Sequence, residues 1–399
     1  MFESYQFNLY LAVSISASLG LIIAHSVRLA PVRISLRFVC IAVLGGFLLG
    51  GAGTRLVSKT FSLAVPKNAN AEIAYAREAI RSGRCDPERE VVVSVVGSSK
   101  TYVHIRADDL EAYLEESGIP ACVFVFAEGG SNRFERRDYV ETAILEYSIP
   151  IDVIFFEATS THHRYLVKDP AFFRNSESLR IRDINIWPMY KELFLWVFTN
   201  QDDRKRSRNQ KPAQALLALL RIHAHQILNL GRFQSMRPIV ELEREVNGDG
   251  GSAKLCKQRD ASLDEKLNRI ISALEKQDGA VVRNEVFEAF YEDMEAVVSR
   301  AAPESELIYF TTPTNSPRAS GLDEAFCRNG PLKERCRIAP GAALYKQLAA
   351  INRWSDTNHM CPEMLSIYTA WYYGEIAQRL RELRNQGRIA KAGLTAGQD

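Results

Sequence analysis

The chain has 399 residues, 46% hydrophobic and 25% charged, which is enough for one large domain or two ordinary ones. Lys plus Arg number 50 against 48 Asp plus Glu, for a formal net charge of +2. That balance, with no interleaving of aromatic and basic residues, excludes a nucleic-acid footprint.

The N-terminus stands apart. No residue from Phe7 to Val27 carries a full charge, a stretch long enough for a membrane-spanning helix at about 1.5 Å per residue. A second apolar run, Phe38 to Ala52, is shorter and Gly-rich; Ser35, Leu36 and a snorkelling Arg37 extend it to a crossing length. Between the runs lie Arg28, Arg33 and Arg37 with no acidic residue. The positive-inside rule makes that loop cytoplasmic and places everything after Arg55 outside. A cleaved signal peptide fits poorly, because no basic region precedes the first run. The expectation is a transmembrane hairpin over 1–55, the alternatives being a buried helical hairpin or a single signal anchor. Of the seven cysteines, Cys40 falls in the second run. The other six are Cys85, Cys122, Cys256, Cys327, Cys336 and Cys361. They permit disulfides with the pairing open, and a local bridge from Cys327 to Cys336 would close a turn-rich loop. No pair has C-x-x-C spacing, which argues against a zinc site.

Residues 56–88 read as a juxtamembrane segment with a short helix near 71–81. The folded domain, 89–386, begins with an apolar strand at Glu90 to Val96. A helix over Ala107 to Glu116 follows, with acidic residues in its first turn and Gly118 as its stop. Next come the strand ACVFVFA, the Gly129-Gly130 turn, a helix near Arg137 to Glu146 and the strand IDVIFFEA. This alternation predicts an α/β fold with a parallel sheet covered on both faces. Residues 160 to 300 read as a long, mostly helical insertion, with helical periodicity in MYKELFLWVF, AQALLALLRIHAHQIL, LDEKLNRIISALEKQ and VFEAFYEDMEAVVSRA. The mixed run Asp202-Asp203-Arg204-Lys205-Arg206 reads as a solvated loop. A further strand is expected at Ser305 to Pro313 and a closing helix over Pro362 to Asn385; 387–399 is a tail.

The chemistry concentrates in two places. In a parallel sheet, ligands bind beyond the carboxyl ends of the strands. Gly97-Ser98-Ser99 sits there after the first strand, where Gly97 is expected to allow a sharp turn and a serine hydroxyl to act as nucleophile. Far downstream, Asp356 and His359 are spaced so that the carboxylate can orient the imidazole toward the serine. Lys100 does not belong to a phosphate-binding G-x-x-x-x-G-K-[ST] pattern. Thr161-His162-His163 lacks the acidic partner of a metal site, and His223 and His225 point to different faces of a helix.

Gly97-x-Ser99 after the first strand, with Asp356-x-x-His359 before the last helix, resembles the SGNH (GDSL-type) hydrolase and acyltransferase superfamily. The resemblance covers about residues 88 to 160 and 303 to 385. It implies a three-layer domain with Ser99 as nucleophile, His359 as base and Asp356 as its orienting carboxylate. It also implies an oxyanion hole with the Ser99 and Gly130 N–H groups and no cofactor or metal; Thr159 or Ser160 by a hydroxyl, or Asn132 by its amide, are the candidate further donors, and Ser98, Gly129, Ser160 and His162 the candidate substrate contacts. The family's third block, Gly-x-Asn-Asp, is absent; Glu157-Ala158-Thr159-Ser160 stands there, so the amide donor is missing. One such donor is typically worth about 2.7–4 kcal/mol of transition-state stabilisation. With the membrane anchor, the pattern looks like the teichoic-acid D-alanyl transfer proteins and the alginate O-acetylation proteins. It implies serine-dependent acyl transfer to an envelope polysaccharide on the periplasmic side of a bacterial inner membrane. The partners implied are an acyl donor, a glycan acceptor and a membrane-bound O-acyltransferase. An esterase and a catalytically weak accessory subunit are the alternative readings.

Overall fold

The computed structural model describes residues 68–128, 131–158, 187–198, 212–219, 256, 261–276, 285–315, 327, 332, 335–355 and 359–389. The chain divides into two compact units. One comprises Met1–Pro66 with Leu166–Pro238, the other Lys67–Tyr165 with Ile239–Asp399. The expected hairpin, residues 159–186, the tail beyond residue 389 and the Asp202 to Arg206 run lie outside the described residues. Among the described residues no helix is long and apolar enough to cross a membrane.

The larger unit is built on five parallel strands: β1 (Val91–Gly97), β2 (Ala121–Ala127), β3 (Val153–Glu157), β4 (Glu306–Phe310) and β5 (Cys336–Ile338). Their order is β2-β1-β3-β4-β5. Every residue of β1 and β3 is buried, which accounts for runs that are apolar without alternation. The helices of this unit are α1 (Asn68–Arg81), α2 (Ser99–His104), α3 (Ala107–Glu116), α4 (Arg133–Glu141), α7 (Ala261–Lys276), α8 (Glu285–Ala301), α9 (Ala342–Ile351) and α10 (Pro362–Asn385). The smaller unit contributes α5 (Trp187–Phe198) and a helix at 212–219, α6.

Helices cover both sheet faces. On one face Val91, Val93, Val95, Val123, Val125 and Phe155 pack in a single core cluster with Leu110 and Leu114 of α3, Leu267 and Ile270 of α7, Tyr345 of α9, and Tyr368 and Tyr372 of α10. On the other, Tyr75 of α1 meets Phe124 edge-on at 6.3 Å, and Tyr291 of α8 lies across Phe156 and Tyr309 at 6.5 and 5.0 Å. The stretch 160–300 lies between β3 and β4 and is shared between the two units. Its last two helices belong to the main unit: α7 packs against α9 within the core cluster, and α8 sets Tyr291 against Phe156 and Tyr309 of the sheet, while 166–238 falls in the other unit.

Several boundaries differ from the sequence expectation. The helix expected near 137–146 starts at Arg133, because Asn132 caps it: Asn132 Oδ1 accepts from the Phe134 and Glu135 N–H groups, and Glu135 accepts from Asn132 N–H. It ends in a π turn over Thr142–Glu146. Strand β5 and helix α9 were not foreseen. β5 is three residues long, too short to carry a periodic signal. Three disulfides join Cys85 to Cys122, Cys256 to Cys361 and Cys327 to Cys336, with Cα–Cα separations of 5.9, 5.8 and 5.1 Å.

Candidate active site

In a sheet ordered 2-1-3-4-5 the connections leave in opposite directions from β1 and β3, opening a crevice beyond their carboxyl ends. The register fixes what stands there. Val96 pairs with Phe156, so Gly97 and Glu157 end their strands side by side. Ser98 then turns the chain as the N-cap of α2, and Ser99 is that helix's first residue.

Gly97 is required here for closeness of approach rather than for its conformation. It is absent from the residues with positive φ. A Cβ at Gly97 would lie 1.8 Å from Thr101 Oγ1 and 2.8 Å from Glu157 Oε2. The glycine lets α2 and Glu157 sit directly against the strand end.

His359 approaches from the other end of the sequence. Its Nε2 lies 3.0 Å from Ser99 Oγ. The histidine is carried on a narrow hairpin: Ser355 N–H donates to His359 O at 3.0 Å, Cys361 N–H donates to Arg353 O at 3.0 Å, and Trp354 and Met360 form an antiparallel bridge. The hairpin is held from three sides. Met360 N–H donates to His104 Nε2 at 3.2 Å, which places the proton of this buried imidazole on Nδ1. Thus α2 contacts the hairpin at both ends, through Ser99 and His104. Cys361, the N-cap of α10, is disulfide-bonded to Cys256. Arg353 N–H lies 2.9 Å from Met364 Sδ, and the Arg353 guanidinium pairs with Glu363.

Beneath the serines lies a fully buried carboxylate. Glu157 Oε2 accepts from Ser98 N–H at 2.7 Å and from Thr101 Oγ1 at 2.8 Å; Oε1 accepts from Ser98 Oγ at 3.0 Å and from Thr312 Oγ1 at 3.4 Å. Lys100 Nζ is 3.3 Å from Oε1. Arg136, itself fully buried, donates to the Glu157 carbonyl at 2.6 Å and lies 4.0 Å from the carboxylate. Burial by itself drives this carboxyl upward; the Lys100 and Arg136 charges, the Ser98 N–H and the Thr101 hydroxyl outweigh it and hold the pKa at about 2.

The remaining sequence candidates divide as follows. Ser98 is buried with its hydroxyl committed to Glu157, so of the two serines only Ser99 faces the imidazole. Asn132 has its amide oxygen committed to capping α4 rather than to a pocket. Ser131 Oγ donates to Gly97 O at 3.0 Å and so ties the loop after β2 to the serine turn. Asp356, Gly129, Gly130, Thr159, Ser160, His162, His163, His223 and His225 lie outside the described residues. Lys100 is a partner of Glu157. The sequence reading missed Glu157, Thr101, Arg136, Thr312 and His104 as site residues. One signal was available: Glu157 ends the apolar run Val-Ile-Phe-Phe, and a carboxylate closing a buried parallel strand requires charge partners.

Two other clusters are separate from the serine. Cys85, Glu90 and Cys122 lie within ligating distance of one another, but the two sulfurs are bonded together. A cleft of about 470 Å³ lies at the opposite end of the sheet, lined by Glu306 at the start of β4 and by Arg335, Arg337, Arg379 and Arg388. Arg335 pairs there with Glu295 and Arg388 with Glu306. Compared with known proteins, the chain matches no family model, no curated protein and no solved structure.

Proposed function

We propose that this protein carries out serine-dependent acyl transfer through an acyl-enzyme formed on Ser99. The observation that carries the reading is the 3.0 Å approach of His359 Nε2 to Ser99 Oγ across 260 residues of chain, at the crevice where a parallel sheet of this order binds ligands. His359 takes the Ser99 proton as Oγ attacks the acyl carbonyl of an ester or thioester. Ser99 N–H, in the first turn of α2, and Gly130 N–H receive the developing oxyanion. Asp356 orients the imidazole and stabilises its cationic form. The tetrahedral intermediate collapses, and the leaving oxygen or sulfur takes the proton from His359. A sugar hydroxyl then gives its proton to His359 as it attacks the acyl-serine carbonyl; the second intermediate collapses, His359 returns the proton to Ser99 Oγ, and the sugar ester leaves.

The strand order and the positions of Ser99 and His359 support an SGNH-like assignment. Three disulfides suit an oxidising compartment. The uncharged N-terminal runs suit an anchor in the inner membrane with this domain on the periplasmic side. In that location the acceptor is an envelope or exported polysaccharide, and the acyl donor is delivered from the membrane by an O-acyltransferase partner. An accessory, catalytically weak subunit is the second reading, favoured by a sequence with Thr159 where the family's amide donor is expected.

The test is labelling with a fluorophosphonate. The full chain reacts and Ser98→Ala still reacts, whereas folded Ser99→Ala does not; labelling that persists in Ser99→Ala moves the nucleophile elsewhere. Deletion in the native host lowers polymer acylation for a transferase and raises it for an esterase.

A further inference from the structure

We infer that Glu157 is the positioning residue of the nucleophile turn: it draws every side chain around Ser99 inward and leaves that one hydroxyl to the histidine. The inference rests on the acyl-serine reading. Ser98, Lys100 and Thr101 flank Ser99 on both sides, and all three side chains reach the Glu157 carboxylate, at 3.0, 3.3 and 2.8 Å. Ser98 adds its backbone N–H at 2.7 Å. Ser99 alone in this four-residue stretch points away, to His359 at 3.0 Å.

Two adjacent serines at a strand end present a choice of nucleophile, and the buried carboxylate makes it. Ser98 Oγ cannot both donate to Glu157 and give its proton to a base, since a hydroxyl has one proton. Glu157 is itself fixed from its own strand side. Its carbonyl accepts from Arg136, the following N–H of Ala158 donates to Phe310 O at 2.7 Å, and Thr312 approaches from beyond β4. The carboxylate is therefore a rigid post in the sheet, and the serine turn is tied to it by four bonds. Ser99 Oγ is thereby held at a fixed point relative to the imidazole before substrate arrives, which is the condition for a short proton transfer. Glu157 touches neither substrate nor reacting atoms in this arrangement; it acts through the turn.

The experiment measures fluorophosphonate labelling of the full chain against probe concentration, separating the limiting rate kinact from the half-saturating concentration KI, for the parent, Glu157→Gln and Ser99→Ala. Folding is checked by circular dichroism and gel filtration. Glu157→Gln keeps the shape but replaces one acceptor oxygen by a donor that opposes both Lys100 and the Ser98 hydroxyl. The expected result is a kinact at least tenfold lower with KI within twofold of the parent, because placement of Ser99 is lost and the probe-binding surface is not. A folded Glu157→Gln with parental kinact overturns the inference. If Glu157→Gln does not fold, Thr101→Val carries the test: it deletes one hydroxyl bond without changing shape. It is expected to lower kinact at least threefold at unchanged KI, and a parental kinact overturns the inference equally. A parent that does not label, or labels without Ser99, defeats the acyl-serine reading itself. A parent that labels on Ser99 and is matched by Glu157→Gln defeats only the positioning role.

Discussion

Gly97→Ala tests the packing on which the site depends. Introducing a methyl group at an ordinary glycine reduces the freedom of the unfolded chain and stabilises by about 0.4–1 kcal/mol when the backbone is compatible. Gly97 has no positive φ, so backbone conformation raises no objection. The opposing term is contact. The new Cβ would stand 1.8 Å from Thr101 Oγ1, 2.2 Å from Thr101 Cβ and 2.8 Å from Glu157 Oε2, where carbon contacts normally lie at about 3.5–4.0 Å. Thr101 cannot rotate aside, because its β-branch restricts it within a helix and its hydroxyl is held by Glu157 at 2.8 Å. Helix α2 must instead lift from β1, straining the Thr101 and Ser98 bonds to the carboxylate. Overpacking costs about 1–3 kcal/mol, and weakening a hydrogen bond to a charged buried acceptor adds about 1.5–3 kcal/mol. The net expectation is a loss of about 2–5 kcal/mol, read as a fall of roughly 4–20 °C in Tm for a unit of this size. Thermal and urea denaturation of the full chain measure it. In a double-mutant cycle, Thr101→Gly removes both clashing Thr101 atoms, and the pair is expected to be more stable than the sum of the single changes by at least about 1 kcal/mol. Gly97→Ala within about 0.5 kcal/mol of the parent would refute the close-approach argument.

The buried carboxylate also sets an acid limit. Its pKa is lowered from 4.5 to about 2, so its contribution is fully present above about pH 5 and lost as pH falls toward 2, amounting to about 3 kcal/mol. Glu157→Gln is expected to flatten the fall in stability across that window in urea titrations; an unchanged slope counts against the ion-pair network. The Cys256–Cys361 bridge spans 105 residues and ends two residues beyond His359. Cys256→Ala is expected to destabilise by up to about 4–5 kcal/mol and to slow Ser99 labelling in the still-folded protein. Cys85→Ala, which opens the bridge from the turn after α1 to the edge strand β2, should lower Tm with little effect on the labelling rate. Equal slowing by the two changes would show that the disulfide near His359 has no local role.

The sequence by itself determined most of the elements, β5 and α9 excepted, and singled out Ser99 and His359, which lie 3.0 Å apart in the fold. Helices α3 and α10 fall at the expected residues, because acidic first turns, a stop glycine and a proline at the start of a helix are local signals. The alternation of strand and helix from residue 90 to 158 was legible for the same reason, and so were Ser99 and His359, each marked by its neighbours. Tertiary structure alone decided that α7 and α8 belong to the same unit as the sheet, that Gly97 is demanded by contact rather than by a turn, and that Cys361 pairs with Cys256. It also gave Glu157 its partners: Ser98, Lys100 and Thr101 from one strand end, Arg136 from a helix, and Thr312 from beyond β4. Periodicity and capping act within a few residues along the chain. The value of a buried charge depends on which distant groups the folded sheet brings within about 4 Å of it, and no local pattern records that.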